Sequence, residues 1–232
     1  VNYLQLCQAL AEDSGTVAGV PNFTTVVGAS GRIKQVVGWV RDAYIDIQNE
    51  RTDWRWMRRS FEEALTIDQI VYAQDDLNLD DVAFWLPDLP GIGWRNLSIY
   101  ETGYPERESE IGQIDYPLFR QRYQRGVHDA NRPIEWAISP LGELMFGPKP
   151  DKAYIVKGEY FMKPETLTAD EDIPSMPDQY HRVIVQEAMR LMARSDEAFE
   201  VIGEKGQQYD RLRNALVRDQ TPDLQFGGGT FA

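Results

Sequence analysis

Apolar positions recur with a helical period at both ends of the chain and with a period of two in its middle. Tyr3, Leu6, Cys7 and Leu10 share one face of a first helix, which Gly15 ends. Residues 16–30 are rich in Gly, Val, Pro, Asn, Thr and Ser without periodicity and read as a surface loop. Ser30 then caps a second helix, in which Ile33, Val36, Val37, Val40, Tyr44 and Ile47 follow the i, i+3, i+4, i+7 spacing. Toward the other end Asp178 is the expected N-cap of a helix that carries Tyr180, Ile184, Ala188 and Leu191 on one stripe, bordered by Val183, Glu187 and Met192. Helical spacing resumes from Glu197 to Arg218 through Ile202, Tyr209, Leu212 and Leu216, with Gly203 or Gly206 as the expected break.

Between these ends the strongest strand signal is residues 154–161, where Tyr154, Val156, Gly158 and Tyr160 alternate with Ile155, Lys157, Glu159 and Phe161. This reads as a central strand that Pro164 ends. The acids Glu165, Asp170, Glu171 and Asp172 then lead to Pro174 and Pro177, which fit neither a ladder nor a helix. Further strands are expected at Val82 to Leu86, Leu97 to Tyr100, Ile134 to Ile138 and Leu144 to Phe146. A hairpin is expected from Phe61, Leu65 and Ile67 followed by Ile70 and Tyr72. Ser139, Pro140, Leu141 and Gly142 form the expected turn between two of the strands, with Pro at i+1 and Gly at i+3. Tyr116 to Tyr123 reads as one or two helical turns. The fold class is therefore α+β. Residues 1–59 and 175–219 make an antiparallel helical bundle, residues 60–174 an inserted antiparallel β domain, and residues 220–232, with a glycine triplet and no periodicity, a flexible tail.

At 232 residues the chain is long enough to bury a core, and no apolar run approaches the roughly 18 residues that cross a bilayer. The first helix is amphipathic and acidic, unlike a secretory signal, so the sequons at Asn22 and Asn96 carry no meaning; a single Cys7 fits a reducing cytoplasm. The 24 Lys and Arg stand against 37 Asp and Glu, a net charge of -13. Such a surface opposes counterion-release binding to nucleic acid, yet an acidic wall lets a duplex slide past without sticking.

Candidate chemistry is thin. Gly28, Ala29, Ser30 and Gly31 lack the spacing of a nucleophile elbow, and Ser30 is better read as a cap. Cys7 is read as a small core residue. His128 and His181 stand alone, His181 as a solvated or capping residue at a helix start, so neither a Ser-His-Asp nor a Cys-His arrangement nor a zinc site is supported. Asp75, Asp76, Asp80 and Asp81 lack the order of a calcium loop, and Gly91, Gly93 and Trp94 lack the helix that a dinucleotide motif needs. Arg51, Arg55, Arg58 and Arg59 interleave with Trp54 and Trp56, a pattern known from single-strand binding surfaces. Against so acidic a chain the better reading is that Trp54 and Met57 plug the end of a helix pair while the arginines answer acidic neighbours. One enzyme-class alternative remains, a carbohydrate-binding or glycoside-cleaving β domain using Trp85, Trp94, Tyr100, Tyr104 and Trp136, although nothing names its two acids. No catalytic residue, cofactor or metal is expected.

The run KPETLTADEDIPSMPDQYHRVIVQEAM, following a strand that ends in a tyrosine motif, resembles the strand, acidic-proline link and helix of the head-to-tail adaptor (connector) proteins of tailed bacteriophages. RPIEWAISPLGELMFGPKPDKAYIVKGEYFMKPETL is similar to a family run in which a strand pair and a PKPD turn precede the long strand, and the tryptophan-bearing turn after the second helix fits as well. The chain departs from the pattern in the acidic insert from Glu101 to Asp115. The resemblance implies a structural virion protein made in the host cytoplasm and sited at the head-tail junction. It implies a ring below the portal, on the order of twelve copies, whose partners are the portal and tail or head-completion proteins, with DNA passing through the lumen and no membrane. Phe226 and Phe231, two aromatics on the glycine-bearing tail, are expected to order against a partner, with Arg211, Arg213 and Arg218 on the helix before it supplying charge complementarity; the resemblance makes that partner the portal or an adjacent subunit.

Overall fold

A computed structural model describes residues 1–15, 23–196 and 199–221. Among them the elements run α1 (Tyr3–Ser14), α2 (Gly31–Asn49), β1 (Arg58–Leu65), β2 (Val71–Tyr72), β3 (Val82–Trp85), β4 (Ser98–Glu101), β5 (Ser109–Glu110), β6 (Gly112–Gln113), α3 (Tyr116–Phe119), β7 (Glu135–Ile138), β8 (Leu144–Gly147), β9 (Tyr154–Met162), α4 (His181–Ser195) and α5 (Phe199–Gln220). The protein is α+β, and the chain divides into two compact units, Val1–Met57 with Pro164–Ala232, and Arg58–Lys163.

In the helical unit α2 packs on α4, α4 on α5, and α1 on both α2 and α4. The face that spacing assigns to α1 is the buried one: Tyr3, Leu6, Cys7 and Leu10. Asn2 and Gln5 form a reciprocal capping box, and Gly15 closes the helix at φ 61, a conformation that costs glycine nothing. Ser30 does occupy the N-cap of α2 but makes no side-chain capping bond. The buried face of that helix is Val36, Val40, Ala43, Tyr44, Ile47 and Gln48, whereas Ile33 and Val37 are only partly covered.

Two boundaries differ from the expectation. Asp178 does not cap the late helix; it opens a 3-10 turn, Asp178–Tyr180, closed by the Tyr180 amide on the Pro177 carbonyl at 2.9 Å, and α4 begins at His181. The break before α5 falls at Asp196 and not at Gly203 or Gly206, both of which α5 passes through as helix. Arg32 grips the Asp196 carboxylate and holds it below the usual range, which anchors the chain where it leaves α4. Because α4 meets three other helices, it is buried nearly all round, from His181 through Val183 to Met189 and again at Met192 and Ala193.

The acidic link after Pro164 is held by the helices through paired hydrogen bonds. Gln48, 1% exposed, donates from Nε2 to the Glu165 carbonyl at 3.0 Å and accepts the Glu165 amide at 2.9 Å. The Glu165 carboxylate accepts from the Tyr44 hydroxyl and from the Ser175 amide. Further on, the carbonyls of Asp172 and Asp170 accept the Tyr3 and Leu4 amides, and the Asp170 carboxylate accepts the Val26 amide at 2.6 Å. The Asp172 carboxylate accepts the Thr168 and Ala169 amides, so three of the four acids that look like a solvated spacer in sequence, Glu165, Asp170 and Asp172, bind backbone donors, while Glu171 accepts from the Asn2 side chain.

In the sheet unit β9 is the central strand. β1 pairs with it antiparallel along its length, β4 with its first half and β3 with its second. Glu159 lies in the gap between β4 and β3, and the Asn96 side chain fills it, accepting the Glu159 amide at 3.0 Å and donating to the Glu159 carbonyl at 2.9 Å. At Gly158 an added Cβ would collide with Leu97, so the core reaches the backbone of the central strand itself. The expected hairpin between Phe61 and Tyr72 does not form: β1 lies in the β9 sheet, while β2 pairs with β8 in a second sheet of order β2-β8-β7-β6. The β domain is not wholly antiparallel either, since β6 runs parallel to β7. The reason is the acidic insert, which supplies the edge of both sheets, β5 to one and β6 to the other, and crosses between them at buried Ile111. Arg132 clamps this crossing by donating to the carbonyls of Ile99 and Arg107 and to the Ser109 hydroxyl.

The β7–β8 hairpin turns as the sequence predicts, with Gly142 at φ 82 and its amide on the Ser139 carbonyl at 2.9 Å. Trp85 Nε1 donates to the Gly142 carbonyl and ties the two sheets. The helical turn expected near Tyr116 is present as α3 and a π turn, Arg120–Gln124, and it packs Phe119 and Tyr123 against Ala137 and Met145 of the hairpin in a buried cluster.

Candidate functional site

The helical unit presents a polar groove of about 590 Å³ between α2, α4 and α5, lined by Asp46, Glu50, Glu187, Arg190, Tyr209, Asp210 and Arg213. Its floor is the nearly buried Glu187, whose Oε2 accepts from Arg190 at 3.1 Å, while the Arg190 guanidinium lies 4.7 Å from the Tyr209 ring centre. Burial first, and then the bond to Glu187, push the Tyr209 phenol up, so it remains a neutral donor. Asp46 on the rim is raised by burial, by Glu187 and by Asp42. Arg213 closes the far side in an ion pair with Glu50. Acidic groups outnumber the two arginines here. The groove is a place for ion pairing.

The partner-binding residues named from sequence fall in different situations. Arg213 is spent on Glu50, inside the helical unit, whereas Arg211 and Arg218 are exposed on α5. Phe226 and Phe231 lie outside the described residues, as does the rest of the tail from residue 222. The arginines around Trp54 and Trp56 are engaged locally: Arg51 with Asp53 at 2.9 Å, Arg58 with Glu159, and Arg55 with the Asp219 carbonyl at the C-terminal end of α5. Trp54 is fully buried, stacks on Trp56 at 4.3 Å and donates to the Ile47 carbonyl, so it closes the end of α2.

Other candidates of the sequence resolve into structure. Cys7 is buried and its thiol is pushed up to about 12 by that burial and by Asp170. His181 is not solvated: it is 2% exposed, with Nε2 bonded to the Met176 carbonyl at 2.8 Å, because the 3-10 turn tucks the start of α4 inward. Asp76 and Asp81 accept from the Ala73 amide and the Tyr160 hydroxyl respectively, and no cluster suited to a metal ion occurs among the described residues. Trp85 and Trp136 are core residues, Tyr104 carries Arg107 on its face, and Trp94 is partly exposed. No helix among the described residues is long and apolar enough to cross a membrane.

The sheet unit has two neighbouring clefts that meet at Trp94 and Arg95. One, of about 670 Å³, is lined by Pro90, Trp94, Ile114 and Leu118 with Asp88, Arg95 and Asp115. The other, of about 540 Å³, lies over the solvent face of β1 and β9 and includes Glu62, Lys157 and Glu159. Sequence reading passed over Arg95, Arg132 and Gln48 and saw in Asn96 only a sequon, since each acts on backbone atoms or lines a cleft and none belongs to a periodic pattern.

No curated protein matches the chain. The family model of the SU10 adaptor protein matches residues 1–228, nearly the whole of it, and so spans both the helices and the inserted sheets. The chain therefore belongs to the SU10 adaptor protein family, a family of phage head-tail adaptors, and is a structural adaptor of a bacteriophage virion.

Proposed function

We propose that the chain assembles as a closed ring beneath the portal, on the order of twelve copies, joining capsid to tail while DNA passes through the lumen. The reading rests on the family match over residues 1–228. Two physical features support it. The net charge of -13 suits a channel wall that DNA must traverse without binding, because repulsion of phosphates leaves the duplex free to slide. The described residues form a polar groove and two open clefts, concave surfaces suited to docking a partner.

In this reading the terminal helices, residues 1–59 and 175–219, act as an antiparallel bundle carrying the β domain, and the chain is made in the host cytoplasm before docking. The portal is the partner above and tail or head-completion proteins the partners below. The tail over residues 220–232 acts as a docking arm through Phe226 and Phe231, toward the portal or an adjacent subunit, with Arg211 and Arg218 supplying charge that sets register. Arg213, which pairs with Glu50 and so helps position α5, is the third arginine of this set.

Depletion tests the role. Phage grown without the chain should yield DNA-filled heads lacking tails, and added purified chain should restore joining. Tailed particles formed in its absence would overturn the reading. Deleting residues 221–232 should leave the melting temperature nearly unchanged and reduce incorporation into particles. If the truncated chain joins heads to tails as well as the full chain, the arm has no docking role.

A further inference from the structure

The cleft at Pro90, Trp94, Ile114 and Leu118 lies at the edge of the second sheet, where β6 has no further strand beside it among the described residues. The backbone of that edge is already occupied, since the Gln113 amide donates to the Asp88 carboxylate at 2.8 Å and the Asp88 amide donates to the Gln113 side chain at 2.9 Å. Strand addition is thereby blocked, and recognition falls to side chains. The apolar wall stands open, since Leu118 is 37% exposed, and Leu89 and Ile92, in the same turn as Pro90, are 49% and 73% exposed. A cleft of about 670 Å³ is within the range that takes one aromatic side chain with its neighbours. Asp88 spends both carboxylate oxygens on the amides of Asn96 and Gln113, whereas no carboxylate among the described residues pairs with the exposed Arg95 guanidinium at the cleft mouth.

The chain itself carries a segment of matching chemistry. Outside the described residues lie 16–22, 197–198 and 222–232, and the last is the one with aromatic residues. It places Asp223 three positions before Phe226, followed by Gly227, Gly228 and Gly229, which let a backbone approach a surface closely, and then Phe231. Eleven residues reach at most about 40 Å, and Phe226 stands about 17 Å from Thr221 when extended. We infer that residues 222–232 of one copy dock in this cleft of the neighbouring copy, with Phe226 against Trp94 and Leu118 and Asp223 paired with Arg95. This rests on the ring reading, which supplies the neighbour, and it gives the ring a head-to-tail contact that repeats in one direction. Burial of one ring in such a cleft removes on the order of 150 Å² of aromatic surface from water, and the charge pair fixes which way the segment lies.

The test uses the full chain with p-benzoylphenylalanine at position Phe226, irradiated both in concentrated purified protein and in intact particles, with isotope-mixed copies to separate contacts within and between chains. The expected result is inter-chain cross-linking to residues 88–95 and 112–118. Arg95→Glu should lower the yield about tenfold, and Asp223→Arg should restore it in the same chain. Both substitutions are at exposed or terminal positions, and Leu118→Asp gives an independent loss. Cross-links within one chain, to the portal, to other parts of the neighbour or nowhere would overturn the inference, as would yields unaffected by Arg95→Glu. Because heads and tails that join normally without these cross-links would leave the adaptor reading standing, the two ideas fail separately.

Discussion

Gln48 on α2 satisfies both backbone groups of Glu165, donating to its carbonyl at 3.0 Å and accepting its amide at 2.9 Å, as a neighbouring strand would. The amide side chain is also bonded to the Tyr44 carbonyl, so one buried residue joins the second helix to the start of the link that returns to the fourth. Replacing it by Ala leaves a buried donor and acceptor without partners. Gln48→Ala should lower the unfolding free energy by about 2–4 kcal/mol, read as a fall in the urea midpoint. Gln48→Glu sets a carboxylate oxygen against the carbonyls of Tyr44 and Glu165 at a buried position, so its loss at neutral pH should be at least as large. Equal midpoints for all three proteins would show that water replaces the clasp.

A second expectation contrasts two glycines. An added Cβ on Gly158, in the central strand, would collide with Leu97 and stand 3.0 Å from the Phe61 ring. At Gly38, inside α2, nothing lies within 4 Å of the same position. Gly158→Ala should therefore destabilise by about 1–3 kcal/mol through overpacking. Gly38→Ala should stabilise by about 0.5–1 kcal/mol through helix propensity. Thermal unfolding of the two variants beside the parent checks both signs, and a stabilising Gly158→Ala would contradict the packing of the sheet.

The polar groove gives a pH-dependent expectation. Asp46 is raised by burial, by Glu187 and by Asp42, and it sits in the last turn of α2, where a negative charge also opposes the helix dipole. A group raised in the folded state contributes stability below its unfolded value, about 3.9, and loses that contribution as pH rises through the folded value. At neutral pH its charged form is therefore unfavourable. Asp46→Asn should raise the melting temperature at pH 7 by about 1–2 °C, a small effect because the side chain is largely solvated. The gain should vanish below about pH 4, and calorimetry at both pH values reads the difference; a gain of the same size at both would assign it to something other than the charge.

The sequence patterns reached the elements whose burial follows a single face. The buried set of α1 is the one its spacing names, and the β7–β8 turn follows from Pro140 and Gly142. They failed where partner choice depends on distant chain. Phe61 and Tyr72 look like two arms of a hairpin, but β1 takes β9 and β2 takes β8, because a strand's pattern records burial and not its neighbour. They failed again where one side chain serves backbone atoms far away. Asn96 reads as a sequon without meaning and Glu165 as a solvated acid, yet each closes a gap in the fold. Of the residues named as docking groups, Arg213 proved to be engaged because Glu50, at the end of another helix, stands opposite it. Arg95 and its cleft had no periodic or motif signal at all. Membership of the adaptor family was legible in the run of strand, acidic-proline link and late helix that carries the resemblance, and the family model matches residues 1–228 around it.

The most direct measurement of the central claim is a reconstruction of the head-tail junction in native particles by electron cryomicroscopy. The account predicts a closed ring of this chain between portal and tail, each copy showing the two sheets joined at Ile111 and the helical unit fastened at Gln48 and Glu165, with an open axial channel for DNA. A junction built without this chain, or the chain found as isolated copies elsewhere on the particle, would contradict it.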